Sequence, residues 1–143
     1  MKKTIFKISL SLLFIVARSN AAEICGDTLS ARWSYTETSA NFLSSKSFPD
    51  RYCDKGEKIP GSNVEISLFD SAGKILFRKF AFFPMKHLSH LETDKKNPDV
   101  AIKDWKDFAI VQFPKSPELA RATKFQIKGL DSLKFMSKGD FKP

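Results

Sequence analysis

Two histidines in one polar stretch are the residues most suited to chemistry. His87 and His90 are three positions apart, so one helical turn would place both imidazoles on one face. Imidazole is the commonest transition-metal ligand. The Met85 thioether suits Cu(I) and the Glu92 carboxylate suits harder ions. The pattern lacks a full ligand spacing, so it favours a solvated loop, with a copper or zinc half-site at His87, His90, Met85 and Glu92 as the alternative.

Two cysteines, Cys25 and Cys53, are the only ones in the chain. An even count in an oxidising compartment indicates a disulfide, and two cysteines allow one intramolecular pairing. A metal-thiolate or redox pair is the alternative, but no CxxC spacing or second cysteine cluster supports it.

Catalytic patterns are weak throughout the sequence. A serine hydrolase of the nucleophile-elbow type needs Gly-x-Ser-x-Gly, which is absent. A cysteine nucleophile conflicts with the disulfide, and Asp104 and Asp107 are typical of a charged approach to a strand. Glycine-rich phosphate loops are also absent. We therefore expect no enzyme.

Aromatic residues offer a platform for a glycan or a partner surface. Trp33 and Tyr35 share one face of an alternating segment, which favours a core role over a platform that would include Tyr52. Trp105 lies between charged residues, so it is our candidate for contact with a protein partner.

The first 21 residues have the three parts of a secretory signal: a basic start, a short apolar run and small residues before a cleavage point. The apolar run of about ten residues is roughly half the length that crosses a bilayer. We predict cleavage after Ala21, or one residue later, rather than a retained anchor. Glu23 argues against a lipid anchor at Cys25.

The net charge and the length of the chain that remains after cleavage indicate its class and its number of domains. The leader holds four of the 24 basic residues and no acid, which leaves 20 basic against 16 acidic side chains, a net of +4. This is an ordinary surface balance, without the concentrated basic field of a nucleic-acid-binding protein. About 122 residues indicate one domain, over residues 22–143.

The hydrophobic pattern predicts short strands joined by Gly, Pro and Asp turns. The clearest element is a hairpin over residues 64–80, with turn residues at 70–73. Polar residues 41–62 predict a long loop tethered at Cys53. The other predicted elements are strands over 31–37, 107–113, 123–128 and 133–136 and a helical turn over 117–120. Within the domain, we expect the core strands to lie over residues 63–137 and a tail over 138–143.

These elements predict a small antiparallel β-sandwich with a long disulfide-tethered N-terminal loop. An early Asp-x-x-Gly hairpin, a mid-domain strand ending in Phe113-Pro114 and a closing pair around 122–127 carry a resemblance to immunoglobulin-like and fibronectin type III modules. The resemblance covers about half of the chain. Cys25, Trp33 and Cys53 depart from the antibody-domain order, because Cys53 lies too early for the inter-sheet bridge. Such folds have many functions, so the resemblance implies none.

From these patterns we expect an exported, periplasmic or secreted, non-catalytic protein that does not span the membrane after cleavage. The favoured function is a protein-binding, accessory or inhibitor-like module of the cell envelope. Its partner is an unidentified envelope or extracellular protein, and nucleic acid is not expected. The alternative is a periplasmic Cu- or Zn-binding sandwich that uses the His87/His90 loop.

Overall fold

Seven β-strands form the fold in this computed structural model, which describes residues 22–85 and 106–143. In chain order they are β1 (Ile24–Tyr35), β2 (Ala40–Asp54), β3 (Val64–Phe69), β4 (Ile75–Ala81), β5 (Asp107–Lys115), β6 (Lys124–Gly129) and β7 (Met136–Asp140). The only helical element among the described residues is a 3₁₀ turn, Leu119–Arg121. No helix in this part of the chain is long and apolar enough to cross a membrane.

Two antiparallel sheets face each other across one core, as the sequence predicted. The first sheet has the order β2-β1-β5 and the second has the order β4-β3-β6-β7. Trp33 of β1 is fully buried and makes edge contacts with Phe113 of β5 and Phe125 of β6. Because these rings come from both sheets, they join the sheets into one sandwich.

Residues 41–62 are mostly strand, which corrects the prediction of a long irregular loop. β2 pairs with β1 over its whole length, and the connection that follows covers only residues 55–63. β2 is an edge strand with mainly exposed side chains, so it needs no buried apolar alternation. Pro49 lies at a register shift, where its missing N–H is tolerated. There the Thr28 hydroxyl donates to the Asp50 carbonyl at 2.8 Å.

The predicted hairpin is confirmed. β3 and β4 pair antiparallel, and the Gly73 N–H donates to the Asp70 carbonyl across the turn. Gly73 has φ 83°, a conformation that glycine adopts without steric cost. β5, β6 and the 3₁₀ turn also fall where the sequence predicted a strand, a strand and a helical turn.

The C-terminal residues belong to the fold, so the predicted tail over 138–143 is corrected. The last strand is Met136–Asp140 rather than 133–136, and it pairs with β6. Phe141 is buried and stacks against Trp33, with ring centroids 6.1 Å apart. One apolar residue in a polar stretch gives no periodic signal, which is why the sequence missed it.

The strand order resembles an immunoglobulin sandwich only in part. β3, β6 and β7 are neighbours, as the third, sixth and seventh strands are in immunoglobulin domains. β1, however, is central in its sheet, between β2 and β5, whereas the corresponding immunoglobulin strand lies at an edge. The structure therefore establishes a mostly β, two-sheet fold.

Candidate functional site

The disulfide predicted from the cysteine count is present. Cys25 and Cys53 are directly opposite on β1 and β2, at the end of this strand pair that lies away from its turn. Glu23 lies beside them, and among the described residues these three form the only group that metal-ligand spacing selects. Sulfurs bonded to each other are not the thiolates that ligate metals, so the cluster is structural.

A polar cluster next to the disulfide joins the two sheets. Lys79 of β4 is buried, and its ammonium group donates hydrogen bonds to the Tyr52 hydroxyl and the Asp54 carboxylate. The other carboxylate oxygen of Asp54 accepts the Gly56 N–H at 2.7 Å. Each polar group is therefore occupied within the protein, and the cluster serves to hold β2 against β4.

The charge of Asp54 follows from these contacts. Burial raises the pKa of the Asp54 carboxyl, but the hydrogen bond from Lys79, the Gly56 N–H, the Lys79 charge and the Tyr52 hydroxyl together outweigh that effect. The net pKa is below its ordinary value. Asp54 is thus an anion at neutral pH and forms an ion pair with Lys79.

Two large apolar side chains lie exposed on the outer surface of the first sheet. Phe108 and Ile110 of β5 expose 50% and 67% of their surface, while Ala109 and Val111 between and after them are buried. The guanidinium carbon of Arg32 lies 4.4 Å from the centroid of the Phe108 ring. Arg32 is also directly opposite Ile110 in the strand register. Adjacent exposed apolar groups beside a stacked cation are typical of a protein-binding surface.

The same surface extends onto β2, where the Lys46 ammonium lies 5.2 Å from the centroid of the Phe48 ring. We call the surface formed by Arg32, Lys46, Phe48, Phe108 and Ile110 the β5 face. Of the described residues that the register places here, none is acidic; they include Ser30, Arg32, Ser34, Asn41, Ser44, Lys46, Phe48, Phe108, Ile110 and Gln112. The β5 face is therefore apolar and cationic.

An open groove at the edge of the second sheet is the competing surface. It has a volume of about 470 Å³ between residues 59–62 and 80–82. Ile59 and Phe82 at its sides are 56% and 63% exposed. Among the described residues no charged side chain lines it, so this part of the groove lacks the electrostatic selectivity of the β5 face.

Of the four predicted metal ligands, only Met85 lies among the described residues. Met85 is partly buried and packs against the hydrophobic core, so the structure gives its side chain a packing role. His87, His90 and Glu92 lie outside the described residues, as does Trp105. The metal half-site and the Trp105 partner contact therefore remain predictions.

Trp33 and Tyr35, considered for an aromatic platform, belong to the core. They expose 0% and 1% of their surface. The Tyr35 hydroxyl donates to the Pro84 carbonyl at 2.7 Å. Burial, with a smaller contribution from the Asp107 charge, raises the pKa of Tyr35. The third platform candidate, Tyr52, is held by Lys79.

Sequence reasoning missed the β5 face, although its signal was present. The predicted strand 107–113 has Phe108 and Ile110 on one side and Ala109, Val111 and Phe113 on the other. Apolar residues on both sides of a strand indicate burial on both faces or one exposed apolar face. Because the fold has two layers, each sheet packs only one side on the core, and the second case applies.

Comparisons with protein-family models, with curated proteins and with solved structures found no match for this chain.

Proposed function

We propose that the mature chain is an exported, non-catalytic protein-binding module that acts through the β5 face, as an accessory or inhibitor-like protein of the cell envelope. One observation carries the proposal: Phe108 and Ile110 are half or more exposed side by side, with Arg32 stacked over the Phe108 ring. A few buried aromatic and Arg anchors supply most of the binding energy at protein interfaces, and neighbouring contacts exclude water around them.

Binding is favoured over catalysis because the buried polar cluster that the described residues form is already occupied. Lys79, Asp54 and Tyr52 bond to one another and to the backbone at Gly56. A general base or nucleophile needs a free atom directed at a substrate. The β5 face, in contrast, presents exposed apolar side chains beside a cation, which suits a protein partner.

Export is part of the same proposal. The leader pattern over residues 1–21 directs a chain out of the cytoplasm, and the Cys25–Cys53 disulfide is compatible with an oxidising compartment. We place the mature protein in the periplasm or outside the cell. We also propose that the sandwich serves as a rigid, immunoglobulin-like scaffold, supported by the β3-β6-β7 neighbourhood.

Native capture with matched variants tests the proposal. Mature protein carrying a C-terminal tag is exported, purified with its disulfide intact and mixed with envelope extract of the source cells. We expect a captured protein that Phe108→Ser/Ile110→Ser loses and that the control Ile59→Ser/Phe82→Ser retains. The control removes two apolar groups of similar exposure from the competing groove. Equal capture by all three forms, or loss only in the control, would overturn the proposal.

A further inference from the structure

The described part of the chain has four sheet edges, and three of them carry a feature that discourages another strand. β2 has two register shifts and contains Pro49. β4 directs Lys79 inward. β7 has only five residues, and its Ser137 hydroxyl bonds the Ala40 backbone at the start of β2. Bulges, proline, inward charges and short length are the known protections of edge strands.

Over its central residues, 108–113, β5 has no register shift, no proline and no charge. It runs for nine residues and pairs with β1 without any register shift. Between Asp107 at its start and Lys115 at its end it carries no charge, and its only proline is Pro114, next to last. No described strand occupies its second side. A long, regular, apolar edge of this kind presents a row of backbone N–H and C=O groups that recruits a further strand.

The side chains beside this edge define the chemistry of the partner. Arg32 is stacked over Phe108 and forms no ion pair with any acidic group that the structure describes. Lys46 adds a second cation on the same face, which has no carboxylate among its described residues. Charge complementarity therefore favours an acidic partner.

From this geometry we infer that the partner adds an extended strand to the edge of β5 and directs an Asp or Glu side chain at Arg32, with apolar side chains on Phe108 and Ile110. This inference rests on the proposed function and specifies its binding mode. A second copy of the chain fits less well, because it brings the same cationic surface.

Peptide selection tests the inference while the partner is unidentified. The probe is a library of random twelve-residue peptides displayed on phage, selected on the immobilised, disulfide-bonded mature protein. We expect selected peptides that combine apolar residues with Asp or Glu. Methylation of alternate backbone nitrogens in a synthesised peptide should weaken binding at least tenfold, because it removes donors to the β5 edge.

Charge reversal identifies the contact with Arg32. We expect Arg32→Glu to weaken binding of the acidic peptide at least tenfold, and an Asp→Lys or Glu→Lys peptide to regain affinity for that variant. The control Arg78→Glu changes an exposed cation on the second sheet, and should leave binding within about twofold. Selected peptides without acidic residues, unchanged binding after methylation, or an Ile110-dependent dimer in light scattering would each overturn the inference.

The native capture experiment separates the two proposals. If Phe108→Ser/Ile110→Ser abolishes capture while backbone methylation and Arg32→Glu have no effect on peptide binding, the β5 face binds a partner but not by strand addition. If the double serine variant leaves capture unchanged, the proposed function itself fails.

Discussion

Lys79 of the second sheet forms an ion pair with Asp54 at the end of β2 in the first sheet, one residue from the disulfide cysteine Cys53. The lysine projects inward from an edge strand, with only 10% of its side chain exposed. The pair therefore has two effects: it ties the sheets together at this corner, and it protects the β4 edge from pairing with other chains. β5 has no equivalent, which is why we assign partner binding to that edge.

Removing one member of this pair should destabilise the fold. We expect Lys79→Met to lower the free energy of unfolding by about 2 kcal/mol, because Asp54 loses a charge-assisted hydrogen bond in a largely buried site. The matched control is Arg78→Met on the same strand, whose cation is 56% exposed and 3.8 Å from Glu65. Its cost should stay within about 0.5 kcal/mol. Urea denaturation measures both, and equal costs would contradict the structural role of Lys79.

The stability of the protein should depend on the charge of Asp54. Because the pKa of Asp54 is lowered in the folded protein, the unfolded chain binds more protons near pH 4. The stabilisation is therefore fully present above the unfolded pKa of about 3.9 and is lost as pH falls through the folded pKa. We expect wild type to be more stable than Asp54→Asn at pH 7, with the difference shrinking at pH 3. Urea titrations at both pH values would contradict this if the difference stayed constant.

Loss of the disulfide should be costly. The bond closes a loop with a sequence separation of 28, and the chain-entropy model gives a contribution of roughly 3–4 kcal/mol. We expect Cys25→Ser/Cys53→Ser, and equally the reduced wild type, to melt at least several degrees lower than the oxidised protein. Calorimetry with and without reductant makes the comparison. Identical melting temperatures would show that the bond does not stabilise the fold.

Two substitutions of Trp33 distinguish the contribution of packing to stability from that of hydrogen bonding in the core. It is fully buried among aromatic rings, and its indole N–H has no acceptor among the described residues. Trp33→Ala should cost about 3–5 kcal/mol through the cavity it leaves. Trp33→Phe should cost under about 1.5 kcal/mol, because it also removes a buried, unsatisfied donor. Equal losses in denaturation experiments would show that the indole N–H contributes to stability.

The sequence predicted the elements that alternate in hydrophobicity and missed those that do not. The β3–β4 hairpin was predictable because turn residues separate two apolar runs. β2 was not, because an exposed edge strand forms through backbone pairing with β1 and its polar side chains carry no period. Lys79 shares the alternation of the buried Phe77, but its partner Asp54 lies 25 residues away. Such a long-range ion pair has no local signal.

The β5 face was predictable only in part, for a different reason. The residues of β5 indicated a strand, but whether Phe108 and Ile110 were covered depended on the sheet order. An immunoglobulin-like order would have placed other strands at these positions. The pairing of β1 with β5 places Arg32 next to these two side chains, which are exposed on the outer surface of the first sheet.

Site-specific photo-crosslinking in the exporting cell is the sharpest test of whether the β5 face binds a protein partner. A benzoylphenylalanine side chain replaces Ile110 in one form of the protein and Phe82, which is similarly exposed in the competing groove, in another. Irradiation is followed by detection of the tagged chain on a denaturing gel. We expect a discrete heavier adduct from position 110 and none from position 82. No adduct from position 110, or the same adduct from both positions, would show that the β5 face is not the binding surface.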